Sequence, residues 1–178
     1  MADSIRTVLM ATGRRFWRAL VTAPDAEGWL FSAATAGLVL AGMAVVGFSG
    51  GLYRLGRPSL AELPWRVVTV LFVPAFSEEA VFRGFLVPDR SETTRPLLAI
   101  AAATAIFTAW HLVETVFLRH AASIFLRADF LACAAILGAG CAAIRWRTAS
   151  LWPAMALHWL AVVTWQTWLG GPSVEALR

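Results

Sequence analysis

Five apolar windows dominate the chain and limit what it can fold into. They run over about 29–49, 65–87, 97–118, 124–144 and 150–170. At about 1.5 Å of rise per residue, each is long enough as a helix to cross roughly 30 Å of hydrocarbon. Inside a bilayer every backbone N–H and C=O must be satisfied within the protein, so consecutive spans of this kind are helices. The joints between them are short and carry helix-breaking or polar residues. These are Gly50 and Gly51 with Pro58 and Pro64; then Pro88, Asp89, Arg90 and Pro96; then Arg145, Arg147 and Thr148; and finally Gly170, Gly171 and Pro172. The expected fold class is therefore all-α, a polytopic membrane bundle of about five transmembrane helices.

Composition agrees with the bilayer as solvent. The 178 residues are 59% hydrophobic with a mean hydropathy of +0.68, against roughly 45–50% apolar in soluble domains. All 15 basic residues are arginine, set against 11 acids, and they lie between the apolar windows instead of forming one patch. That distribution reads as membrane topology and excludes a nucleic-acid footprint. With the N-terminus cytoplasmic, the inner side receives Arg6, Arg14, Arg15, Arg18, Arg83, Arg90, Arg95, Arg145 and Arg147. The outer side receives Arg54, Arg57, Arg66, Arg119 and Arg178, and Arg127 falls inside the fourth window. The positive-inside rule favours this orientation, which also puts Trp65, Trp165 and Trp168 near the outer boundary and Trp146 and Trp152 near the inner one.

No internal repeat, linker or soluble domain is visible, so residues 25–172 read as one transmembrane domain with a short tail at 173–178. Residues 1–24 interleave Arg6, Arg14, Arg15 and Arg18 with Ile5, Val8, Leu9, Phe16, Trp17 and Leu20, a pattern suited to a helix lying in the membrane interface. The apolar stretch that follows is too long for a signal-peptide core and no small-residue cleavage site closes it. Arg14 and Arg15 are read as topology charges and not as a twin-arginine signal. Cys133 and Cys141, eight residues apart in one window and so about 12 Å apart along a helix, read as small packing residues. His120, beside Arg119 in a loop, carries no signal.

An ionisable side chain at the centre of a spanning helix costs roughly 2.5–3.5 kcal/mol on insertion scales, so each one calls for a reason. The second window holds Glu78, Glu79 and Arg83, the third His111 and Glu114, the fourth Arg127 and Asp129, and the fifth His158. With alternating helix directions, Glu78, His111 and His158 fall at similar depth on three different helices, which one buried site explains more simply than three accidents. Glu79 and Arg83 are spaced for a same-face ion pair, while Glu78 points about 100° away, free to meet another helix. Pro74 removes the hydrogen bond to Val70, so a kink beside the site is expected. Irregular backbone at that depth is tolerated where it lines a cavity. Phe107 reads as a wall of that pocket. Glu114, on the His111 face, either orients the imidazole or is a solvated carboxylate at the outer helix end, the second being preferred. Arg127 and Asp129 read as outer-end topology charges, and Gly138 and Gly140 as close-packing positions.

Glu78-Glu79-x-x-x-Arg83, then Phe107-x-x-x-His111, then His158 after Ser150-Leu151-Trp152-Pro153, together resemble the three motifs of the CPBP intramembrane proteases. That family includes the Ras-converting CAAX endopeptidases and bacterial bacteriocin-processing relatives, and the likeness runs from about residue 65 to 171. It implies an intramembrane endopeptidase in which Glu78, with His111, activates a water, Glu79 and Arg83 hold the arrangement, and His158 stabilises the oxyanion. The implied partners are a membrane-embedded or lipid-anchored protein substrate and the bilayer. Where the family often has Asn one turn after the second histidine, this chain has Val162, with Trp159 and Gln166 nearby. The resemblance favours a glutamate-type site with no cofactor. The alternative is zinc on Glu78, His111 and His158, a His₂Glu set. Within the enzyme reading, the competing substrate is a C-terminal anchor tag on an exported protein. A transporter and a non-catalytic membrane scaffold are the competing classes; the lack of a repeat speaks against the transporter.

Overall fold

The computed structural model of the chain describes residues 2–57, 60–118, 122–173 and 176. Pro58, Arg119, His120 and Arg178 lie outside the described residues. Among the described residues there is no strand, and seven helices account for most of the chain: α1 Ala2–Val21, α2 Ala26–Gly50, α3 Leu60–Phe85, α4 Pro96–Phe117, α5 Ala122–Phe125, α6 Ala128–Thr148 and α7 Trp152–Trp168. Four of them, α2, α3, α4 and α6, are long and apolar enough to cross a membrane, and the chain is an integral membrane protein. The fifth expected span is α7, shortened to 17 residues between the Ser150-Leu151 turn, with Pro153 in its first turn, and Gly170, whose φ of 78° ends the helix geometry.

Hydrogen bonds tie the joints together at two opposite ends. At one end, the Leu151 N–H donates to the Ala19 carbonyl at 2.9 Å and Trp152 Nε1 to the Leu20 carbonyl at 2.8 Å. Arg15 there donates to the Phe85 carbonyl at 3.0 Å. At the other end, the N–H groups of Arg54 and Gly56 donate to the carbonyls of Leu169 and Trp168, and Arg127 Nη2 reaches the Gly50 carbonyl at 3.1 Å. The long helices therefore alternate in direction, as the five-window reading requires.

Helix α6 is the central one. Of its most apolar stretch 56% is buried within the protein, against 11–22% in α2, α3 and α4, and it packs on α2, α4 and α7. The reason lies in its sequence: Ala134, Gly138, Gly140, Cys141 and Ala142 are small and let neighbouring backbones approach. A Cβ on Gly140 would run into Val39 of α2. Both cysteines are free and buried, with Cys141 Sγ 3.5 Å from the Ala154 carbonyl.

The fourth window needs correction. It starts at Ala128, not 124, because Arg127 is extended (φ −73°, ψ 137°) and caps the helix, its guanidinium folded onto Asp129. Arg145, Arg147 and Thr148 form its last turn and not a loop, and the helix ends at Ala149 in the left-handed region (φ 57°). Arg147 pairs with Glu27 at 2.9 Å, whereas Arg145 is fully buried, as is Arg83. Those two leave the inner tally of topology charges without changing its sign. Trp165, expected at the boundary, lies inward against Phe130, with ring centroids 5.7 Å apart.

Candidate active site inside the bundle

Helix α3 is irregular where its acids sit. The chain runs as ordinary α-helix over Leu63–Val70, widens into π-type turns at Leu71–Phe76 and again at Ala80–Phe85, and keeps a single α turn, Ser77–Glu79, between them. Val73, just before Pro74, is extended (φ −136°, ψ 112°), so the expected break at Pro74 is present. Wide turns of this kind recur at functional sites because they turn side chains away from the regular helical stripe. Here they flank the single α turn that holds Glu78 and Glu79, whose side chains point about 100° apart as neighbours in a helix do.

Glu79 turns into the protein and is fully buried. Its Oε1 lies 2.9 Å from Arg83 Nη1 and accepts a hydrogen bond from His158 Nδ1 at 2.9 Å. The contact with Arg83 is an ion pair by distance without hydrogen-bond alignment, since Nη1 makes no aligned bond. Arg83 Nη2 instead donates to the Gly138 carbonyl at 3.1 Å, and the guanidinium lies over the Phe107 ring at 4.2 Å. Gly138 makes room for this: a Cβ there would sit 3.0 Å from Phe107 and 3.4 Å from Arg83. Glu79 is thus more than the same-helix partner of Arg83. It links α3 to α7 and fixes the ring of His158.

Glu78 faces a cavity of about 140 Å³ that is also lined by Val73, Pro74, Phe107, His111, Glu114 and His158. Its Oε2 is 3.9 Å from His158 Nε2 and has no hydrogen-bond partner. His111 is buried, and its Nδ1 lies 3.0 Å from the Phe107 carbonyl. A carbonyl only accepts, so the neutral ring carries its proton on Nδ1 and leaves Nε2 bare. The rings of Phe107, Phe125 and Phe130 stand edge-on around His111 at centroid distances of 4.8, 5.5 and 5.3 Å.

The three helices expected to meet at one depth do meet. Glu114 departs from its preferred reading as a solvated outer-end carboxylate: it is half-buried and lines the cavity. Its carboxylate, that of Glu78 and a ring nitrogen of His111 have donor atoms all within 4.8 Å of one another. His158, placed in the expected zinc set, is not part of that group, and its Nδ1 is committed to Glu79.

Val162 and Gln166 both line the cavity, whereas Trp159 turns away, its Nε1 donating to the Val67 carbonyl at 2.9 Å. The far wall is apolar and comes from Met43 of α2, Leu52 and Tyr53 of the following turn, and Phe130, Cys133 and Leu137 of α6. Nothing in the sequence marked these residues, since apolar side chains inside apolar windows carry no pattern of their own.

Fold and site together define a polytopic membrane protein with carboxylates and imidazoles gathered in a cavity among its helices. A model of the family described as type II CAAX prenyl endopeptidase Rce1-like matches residues 60–164, and the chain belongs to that family of proteases. The matched region opens with α3 and contains Glu78, Glu79, Arg83, His111 and His158. No curated protein and no solved structure matches the chain.

Proposed function

We propose that the chain is a glutamate-type intramembrane endopeptidase that hydrolyses a peptide bond near the membrane-anchored, C-terminal segment of a protein substrate. The observation that carries this reading is the shared cavity of Glu78 and His111, two groups from different helices that offer bare acceptor atoms to one space inside the bundle. A water held between them is polarised by both. Glu78 takes its proton as the oxygen attacks the scissile carbonyl, a contribution of about 10²–10⁴ in rate for a positioned base. His158, with Nδ1 held by Glu79, turns Nε2 towards Glu78. With a proton on Nε2 it donates to the developing oxyanion, worth about 10²–10³. Glu79 and Arg83 are positioning residues that act through His158. Val162 brings no donor to the cavity, and Gln166, one turn further, brings an amide.

A second reading has a divalent cation at the site. The residues that fit it best are Glu78, His111 and Glu114, whose donor types and proximity suit such an ion. Bound there, an ion would supply Lewis-acid polarisation of the carbonyl and water.

The experiment is cleavage of a quenched peptide library by the purified protein in detergent, the peptides carrying C-terminal membrane-tag or prenyl-cysteine sequences. Wild type is compared with Glu78→Gln and His111→Ala, each with and without chelator. Loss of cleavage in both variants with indifference to chelator is the expected result, and the peptides cut name the substrate class. Loss with chelator moves the chemistry to the ion. No cleavage by folded wild type favours a non-catalytic scaffold, and ion-dependent flux in proteoliposomes a transporter. We further propose a bacterial inner-membrane location; the arginine distribution supports a cytoplasmic N-terminus, and the docking of α1 at one end of the bundle supports its lying in the interface.

A further inference from the structure

Helix α7 carries a polar side chain with no part in water activation. His158, Val162 and Gln166 are spaced by four and share one face of α7, and all three line the cavity. Gln166 is only 8% exposed. Its backbone carbonyl, in the last turn of the helix, accepts from Arg66 Nη1 at 3.1 Å, so α3 holds this turn in place. Among the described residues only this carbonyl of Gln166 is engaged outside its helix, and the side-chain amide donates to no partner. The other polar groups of the lining, away from Glu78, His111, Glu114 and His158, are engaged or enclosed. The Tyr53 hydroxyl is hydrogen-bonded to the Cys133 sulfur, and Trp165 Nε1 is shut into the packing. The Gln166 amide is left with a donor and an acceptor to offer.

A peptide bond is open to attack only where the chain is unwound. Helical hydrogen bonds join residues four apart, so unwinding at the cut bares N–H and C=O groups up to about four residues away, and hydrocarbon supplies no water to take them. Gln166 lies eight residues beyond His158, about 12 Å along α7. An extended chain covers that distance in about three or four residues, at roughly 3.3–3.6 Å each. We propose that Gln166 is a substrate-binding residue, its amide hydrogen-bonding a backbone peptide group about three or four residues from the scissile bond. This deepens the peptidase reading of Glu78 and His111 and rests on it. An amide that reads backbone admits many side chains and still selects for a segment that is unwound at that point, because a segment that stays helical has no free peptide group to offer.

The test uses a hydrophobic C-terminal anchor peptide that the wild-type protein cleaves. In a set of analogues each peptide group within about five residues of the cut, the scissile one excepted, is replaced in turn by a trans-alkene, which keeps the planar shape but has neither N–H nor C=O. Gln166→Met keeps the length of the side chain without the amide. On the parent peptide it is expected to raise KM on the order of 10–100-fold, the cost of a buried backbone group left unmet. The kcat is expected to change less than about threefold, with the thermal midpoint in detergent unchanged. One alkene analogue is expected to bring wild type down to the variant, the two then having the same kcat/KM. A variant that loses as much on every analogue as on the parent overturns the proposal. So does a loss confined to kcat, which would put the amide on the oxyanion instead. A second measurement needs no turnover: the fluorescent parent peptide is expected to bind Glu78→Gln/Gln166→Met on the order of 10–100-fold less tightly than Glu78→Gln. Equal affinities overturn the assignment. Unimpaired cleavage by Glu78→Gln overturns the water-activating reading, and the binding comparison still decides on Gln166.

Discussion

At the scale of single residues, the centre of this protein is a short chain of polar side chains, Arg83 to Glu79 to His158, laid beside Glu78 and His111. The two carboxylates are sequence neighbours with different surroundings. Glu79 is fully buried, with Oε1 shared by an arginine and an imidazole and Oε2 unpartnered, while Glu78 turns its unpartnered Oε2 to a cavity. Arg83→Met leaves Glu79 without its cation, and removing one partner of a buried ion pair costs about 3–5 kcal/mol. The expected result is a clear fall in the unfolding midpoint in detergent, partly recovered in the double variant Glu79→Gln/Arg83→Met. Glu78→Gln breaks no such pair, so its midpoint is expected to stay near that of wild type while cleavage is lost. The same chemistry was legible in the sequence because ionisable residues stand out in apolar windows. The bond from Glu79 to His158 was not, since spacing within α3 reports only the Arg83 side.

Between elements, glycines decide how closely helices approach. Gly138 lets Phe107 of α4 and Arg83 of α3 lie against the backbone of α6. Gly138→Val overpacks that crossing and is expected to destabilise by about 1–3 kcal/mol, with His111 and Arg83 displaced together. At the end of the bundle, Gly84 lies under the Phe16 ring, which stacks on Phe85 at 4.3 Å. Beside it Arg18 pairs with Asp89 at 2.9 Å and with Glu92 at 2.8 Å. Burial alone would raise the Asp89 carboxyl, but hydrogen bonds from Ser91 and the charges of Arg18 and Arg145 hold it below its ordinary value of 3.8. A carboxyl held down in the folded state contributes stability that is complete above its unfolded value and lost as pH falls through the folded one. Hydrogen exchange in α1 is therefore expected to be unchanged from neutral pH down to about 4 and to rise in stronger acid. In Asp89→Asn it is expected to be faster already at neutral pH, with the gap to wild type closing in stronger acid.

For the whole molecule, the alternation of helix directions makes orientation a single choice, and the positive-inside reading puts α1 on the cytoplasmic side. Leu55, 81% exposed at one end, and the exposed Arg90 at the other give the check. In intact cells an impermeant maleimide is expected to label Leu55→Cys and not Arg90→Cys, and the reverse pattern would invert the topology. Hydrophobic length, the charge at each joint and the cost of burying an ionisable group are local properties. The sequence by itself therefore determined the all-helical membrane class, the placing of α2, α3 and α4, and the residues from which the site is built. Only the tertiary structure decided that Arg145 and Arg147 continue α6, that Trp165 turns inward, that Glu79 holds His158, and that Glu114 joins Glu78 and His111 in one cavity. Each of those depends on which side chain of another helix occupies the facing space. In chains whose windows are uniformly apolar, periodicity does not report that, and the packing of small residues along α6 does.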